Sequence, residues 1–218
     1  MYTSMRLPPP AVGGGRLVRA FRRAFVVGVV AVSAAGSPLG CGVVPATLAP
    51  DPDQPNQVSL LLQTGDGSAT ATAPLQATSV LDVLYDTTHA ELTLTGLSLR
   101  LAPVSLHVEG GVQVDVGEST ASLDLSGGLP LAQVDPVGNF QLQLNLLTAT
   151  AVTIDGVTIP FVHTTGGAIE GHIEYVASGG SMVIALEGIE LLRFILVWGP
   201  DLLVLTGDLA ANFSGVAP

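Results

Sequence analysis

Between Phe140 and Ile154 one parity of the chain is held without a break by Phe140, Leu142, Leu144, Leu146, Thr148, Thr150, Val152 and Ile154. Successive side chains of a strand point to opposite faces, so a period of two writes one apolar and one polar surface. The run is far longer than the usual strand of ~5–6 residues, which predicts a strand that bends or two joined end to end. An apolar sheet face of that length has to be covered by something, and that demand constrains the rest of the chain.

The neighbouring segments keep the rhythm. Opposed residues of an antiparallel pair share a face, so each loop length predicts partners. A loop at Glu109-Gly110-Gly111 sets Val108 opposite Val112, Leu106 opposite Val114 and Val104 opposite Val116. A turn over Gly117–Thr120 sets Val116 opposite Ala121, and one at Ser126-Gly127-Gly128 sets Leu123 opposite Leu131. Asp155-Gly156 is a strong type I′ hairpin signal and pairs Ile154 with Val157, Val152 with Ile159 and Thr150 with Phe161. A turn at Thr164-Thr165-Gly166 pairs Phe161 with Ile169, and one at Gly179-Gly180 pairs Tyr175 with Ile184.

Upstream, Val58, Leu60 and Leu62 alternate with Ser59 and Gln63, Gly65-Asp66-Gly67 reads as a turn, and Ser68–Ala73 as a weak or edge strand. Ser79–Asp86 is the one place where a short helix is plausible, with Ser79 and Asp82 at capping spacing. The apolar parity slips between Leu94 and Leu97, and a β-bulge at Gly96 would absorb it. Ile189–Trp198 and Leu202–Leu205 are apolar on both parities, which suggests a hairpin covered on both faces, and Leu209–Phe213 a last strand. With almost no helix to cover the apolar face, the sheet must close on itself. The expected fold is all-β: an antiparallel meander of roughly ten strands curved into a barrel-like or sandwich domain over residues 58–218.

The first forty residues are different in kind. Arg16, Arg19, Arg22 and Arg23 precede the uncharged run Ala24–Ala35, followed by small residues. That order of positive, apolar and small segments is what export signals share, and the run is too short to span a bilayer, which takes ~20 residues. Pro38-Leu39-Gly40-Cys41 resembles the lipobox of bacterial lipoproteins, with Pro38 where that family usually has an aliphatic residue. The resemblance implies a signal peptide over 1–40, cleavage between Gly40 and Cys41, and lipidation of Cys41, the only cysteine in the chain. Arg22-Arg23-Ala24-Phe25-Val26 is similar to a twin-arginine export motif. Residues 41–57, with Pro45, Pro50, Pro52 and Pro55, read as a tether between lipid and domain. Gly42 stands where an Asp often marks inner-membrane retention in that family, so the resemblance implies the cell envelope, at the outer membrane or its periplasmic face.

Charge narrows the partners. All 18 acidic residues follow Cys41, where only Arg100 and Arg193 remain to oppose them, so the chain from Cys41 onward carries −16. Phosphate neutralisation needs clustered Lys and Arg, which excludes nucleic acid as an expected partner. No Gly-x-Ser-x-Gly elbow and no phosphate-cradling loop before a helix is present, so neither catalysis nor a cofactor is expected. Glu170, His172 and Glu174 share one strand face at a spacing that suits a divalent metal only if a further ligand joins them, and a solvated outer face explains them as well. His163 has the opposite parity and is expected near a strand end on the inner face. The expected function is that of a membrane-anchored lipoprotein whose β domain binds an apolar ligand or lipid. The alternatives are a structural or interaction lipoprotein with a filled core and an outer-membrane β-barrel, the latter lacking the aromatic girdles of that class.

Overall fold

The computed structural model describes residues 42–109 and 111–217. The expected signal peptide, its cleavage point at Gly40 and the lipidation site Cys41 lie outside the described residues. Thirteen strands follow in order: β1 (Val43–Pro50), β2 (Gln57–Gln63), β3 (Ser68–Pro74), β4 (Val80–Asp86), β5 (Glu91–Leu101), β6 (Val104–His107) and β7 (Gln113–Val116), then β8 (Ser119–Leu123), β9 (Leu131–Gln133), β10 (Asn139–Ile154), β11 (Val157–Val176), β12 (Ser181–Trp198) and β13 (Asp201–Val216). All pair antiparallel, and the order β1-β4-β5-β8-β10-β11-β12-β13 returns to β1 through Ala49 opposite Ser214 and Pro50 opposite Phe213. The expected all-β domain is thus a closed eight-stranded barrel with extra strands.

Four long strands, β10 to β13, run the whole length of the wall. Short strands complete it in two tiers. β1, β4, β5 and β8 close the upper tier, while β2 and β3 extend it along the lower part of β13, and β6 and β7 along the lower end of β10. Many fully buried side chains fill the inside, among them Leu48, Leu62, Leu99, Leu142, Leu146 and Phe213. The parity predicted for β10 is the observed one, since Phe140 to Leu146, Thr148, Val152 and Ile154 are buried at every second position while Gln141, Gln143 and Asn145 face out. Burial of each such aliphatic chain contributes about 1.5–3 kcal/mol, which is why the alternation dictates the fold.

Several turns fall as expected. Val104 opposes Val116 and Leu106 opposes Val114, and Ile154, Val152 and Thr150 oppose Val157, Ile159 and Phe161. Asp155 and Gly156 take the positive φ values, 48° and 81°, that a type I′ turn requires. The bulge also sits where the parity slip put it: Asp82 opposes Gly96 and Val83 opposes Leu94.

Other expectations are corrected. Gly42–Gln57 is not a tether: Val43–Pro50 is β1, paired with β4 and β13, and its prolines sit in a strand and in the bend toward β2. In that bend the Asp51 amide donates to the Asn212 carbonyl at 2.8 Å, and the Asn212 amide donates to Asn56 Oδ1 at 2.7 Å. Residues Ser79–Asp86 give strand β4 rather than a helix, and Ser79 is buried where its hydroxyl accepts the Arg100 amide at 2.9 Å. No hairpin joins β7 to β8. Both lie along β10, and Gly117 between them donates its amide to Ala151 at 2.8 Å, so the predicted turn is a bulge in one long edge. Leu123 opposes Leu146 rather than Leu131, because 124–130 is an excursion between β8 and β9.

The turn predicted at Thr164–Gly166 does not exist either. β11 runs through it for 20 residues and pairs with β10 along that strand's whole length. Its glycines make room for neighbours instead of turning the chain: a Cβ on Gly166 would lie 2.5 Å from Asn145 Oδ1, and one on Gly171 would enter the Phe140 ring. The turn between β11 and β12 spans 177–180, two residues longer than expected, so Tyr175 faces Met182 instead of Ile184. Finally, the β12–β13 hairpin is not covered on both faces. Ile195, Val197 and Leu202 are 56%, 71% and 53% exposed on its outer side.

Candidate functional site

The ladder between β11 and β12 is incomplete. It runs from Val176 opposite Ser181 to Glu170 opposite Glu187 and stops. Below that point β11 pairs only with β10, and β12 only with β13. The divergence has a local cause in β12, where register shifts lie between Glu187 and Ile189 and again between Glu190 and Leu192, with Gly188 at φ 75°. Bulges bend the strand that carries them and raise its twist, and two in succession turn β12 away from its neighbour.

At the lower end the two long hairpins meet again. The Trp198 indole N–H donates to Asp155 Oδ2 at 3.0 Å, tying the tip of β12–β13 to the tip of β10–β11. Above that tie the Phe161 and Phe194 rings meet edge to face, 4.3 Å between centroids. Between the aromatic pair and the end of the ladder lies a cleft of about 380 Å³. Leu144, Leu146, Ile169 and Ile189 line its apolar side, Thr165 its inner wall, and Glu190 and Arg193 its mouth, their side chains 3.8 Å apart.

Thr165 lines this cleft, and the next inward-facing positions along the β10–β11 pair, Thr148 and His163, are polar as well and lie outside that lining. Thr148 and His163 are direct cross-strand partners, and Thr165 follows His163 on the same face, opposite Leu146. Thr148 has no exposed surface. The hydroxyls of Thr148 and Thr165 and both ring nitrogens of His163 are buried without a hydrogen-bond partner among the described residues. Burial pushes the His163 imidazole below its ordinary value, and the Glu190 carboxylate opposes that shift. The next inward hydroxyl along β10, Thr150, is satisfied by Ser119 at 2.7 Å. Buried polar groups in native proteins are normally paired, so a cluster of them left open beside a break in the wall is the candidate site of this molecule. His163 faces inward as its parity predicted, but it stands in the middle of a strand, not near an end.

A second cleft, of about 410 Å³, lies between the 124–130 excursion and the outward side chains Gln141, Gln143 and Asn145. It sits on the outside of the wall, and the three unpartnered groups are not part of it.

Glu170 and Glu174 project outward as expected, and His172 Nδ1 lies 3.1 Å from Asn139 Oδ1, with its Nε2 3.6 Å from Glu174. On the β10–β11 ladder His172 faces Asn139, and Thr158 faces Thr153. Among the described residues no three His, Cys, Asp or Glu side chains come together to hold a metal ion. His89 pairs with Asp86 at 2.7 Å on an exposed turn, far in sequence from the cleft. Set against known proteins, the chain matches no family model, no curated protein and no solved structure.

Proposed function

We propose that the chain is an exported lipoprotein, held at the cell envelope through Cys41, whose barrel binds an apolar ligand through the opening between β11 and β12. The observation that carries this reading is the break in the ladder below Glu170–Glu187, beside which the buried aliphatic side chains Leu144, Leu146, Ile169 and Ile189 line a cleft. An eight-stranded barrel is just wide enough for side chains to fill or to hold one small ligand. Here most of the interior is filled, so the ligand belongs at the cleft and not along the axis.

Native mass spectrometry of the protein extracted from its own membrane tests the binding half. A bound lipid, lost on filling the cleft with Gly167→Trp, where an added side chain meets open space, supports it, and a bare protein at every extraction condition sinks it. Cys41→Ala tests the anchor, since the variant should leave the membrane fraction. If it fractionates with the wild type, the lipoprotein reading is wrong.

A second reading is favoured by a different observation. Val162, Ile195, Val197 and Leu202 are more than half exposed on the outer faces of β11, β12 and β13. They sit toward the end of the barrel remote from Gly42, where a partner would be met. A filled-core interaction module would lose partner binding with Ile195→Asp/Val197→Asp and carry no lipid. An outer-membrane barrel is supported less, because Gln141, Gln143, Asn145, Glu170 and Glu174 occupy the outer face that lipid would touch.

A further inference from the structure

We propose that the β11–β12 opening takes a single-chain lipid with an uncharged, hydrogen-bonding head, a long-chain alcohol in its simplest form, the head seated against Thr148, His163 and Thr165. The inference rests on the ligand-binding reading above and names its ligand class. Three arguments lead to it.

The first is chemical. The groups left open are two hydroxyls and one imidazole, each able both to donate and to accept when the imidazole is neutral. A single hydroxyl on the ligand matches them in both directions, whereas a hydrocarbon would leave all of them unpaired. The second is electrostatic. Among the described residues no cation other than Arg193 comes near the cluster. The one arginine near it, Arg193, is at the mouth and already beside Glu190, and the chain from Cys41 onward carries −16. A carboxylate or phosphate head would be taken out of water with nothing to balance it, which is a large cost. The third is size. A cleft of about 380 Å³ lies at the low end of the ~300–1,000 Å³ range of small-molecule sites, so it admits one chain.

Isothermal titration calorimetry on the purified full chain separates the possibilities, with octan-1-ol, octane and octanoate at pH 8 as probes. Octan-1-ol should bind at least about tenfold more tightly than either of the others, the difference one buried hydrogen bond makes. Thr148→Val and Thr165→Val, near-isosteric replacements that remove only the hydroxyl, should each weaken octan-1-ol several-fold and leave octane unchanged. In the wild type the His163 ring resonances should shift on adding octan-1-ol and stay put on adding octane. Equal affinity for octane and octan-1-ol would leave the apolar-ligand reading standing and overturn the polar-head inference. Tightest binding of octanoate would overturn the uncharged head. Binding of none of the three would remove both readings together.

Discussion

At the scale of single residues, the unpartnered cluster makes a prediction in which stability and binding move in opposite directions. A buried hydroxyl with no partner costs roughly 1–3 kcal/mol. Thr148→Val keeps the shape and removes that cost, so it should raise the urea midpoint, by about 1 kcal/mol in stability, while impairing the ligand site. A lowered midpoint would mean that the hydroxyl is satisfied in the native protein. The two histidines that depart from their ordinary value of 6.5 do so in opposite senses. His163 is depressed by burial, so its contribution is complete above 6.5 and is lost as pH falls through its folded value. His89 is raised by its hydrogen bond to Asp86, so its contribution is complete below 6.5 and is lost as pH rises through its folded value. Urea titrations between about pH 5 and 8 should therefore show His163→Phe flattening the acid-side loss of stability and His89→Ala steepening it. Gly171→Ala puts a methyl into the Phe140 ring and 2.8 Å from the Ala185 carbonyl. That overpacking should cost about 1–3 kcal/mol, read as a drop in melting temperature.

At the scale of elements, the hairpin tips hold the opening in shape. Trp198→Phe keeps the ring and removes the donor to Asp155, so amide exchange over the lower half of β11 should quicken while β4 and β5 stay protected. Unchanged exchange in β11 would show that the Phe161–Phe194 contact alone closes that end. The same elements show how far the sequence could be read. Parity along β10, the Asp155-Gly156 hairpin and the Gly96 bulge were legible because each depends on local alternation and on one turn. Gly117 and Gly166 were misread as turns because a glycine serves a turn, a bulge and a close approach equally well. Which of these it serves is decided by a distant partner, Ala151 for the first and Asn145 for the second. β1 was hidden by its prolines, which are tolerated where a strand needs no amide donor. The site itself left a faint trace, the inward parity of His163. That its nitrogens lack partners is a property of the packed wall and of the two bulges in β12, neither of which a single strand records.

At the scale of the whole molecule, one strand is shared by three neighbours. β13 pairs with β12 on one side, and on the other with β1 near Phe213 and Ser214 and with β2 from Val204 to Ala210. A chain ended after Pro200 should therefore lose cooperative unfolding altogether, seen as a broad, featureless melt, instead of shedding one edge. A sharp residual transition would show that β1 and β2 find partners without it. This closure also sets an order of events. Contacts between positions 49 and 214 demand a long loop to be drawn together before they return any stability, and topologies rich in such contacts fold slowly. During synthesis β1 and β2 have no β13 edge to join until residues 201–216 have been made, so closure of the barrel waits on a strand that lies about 150 residues further along the chain.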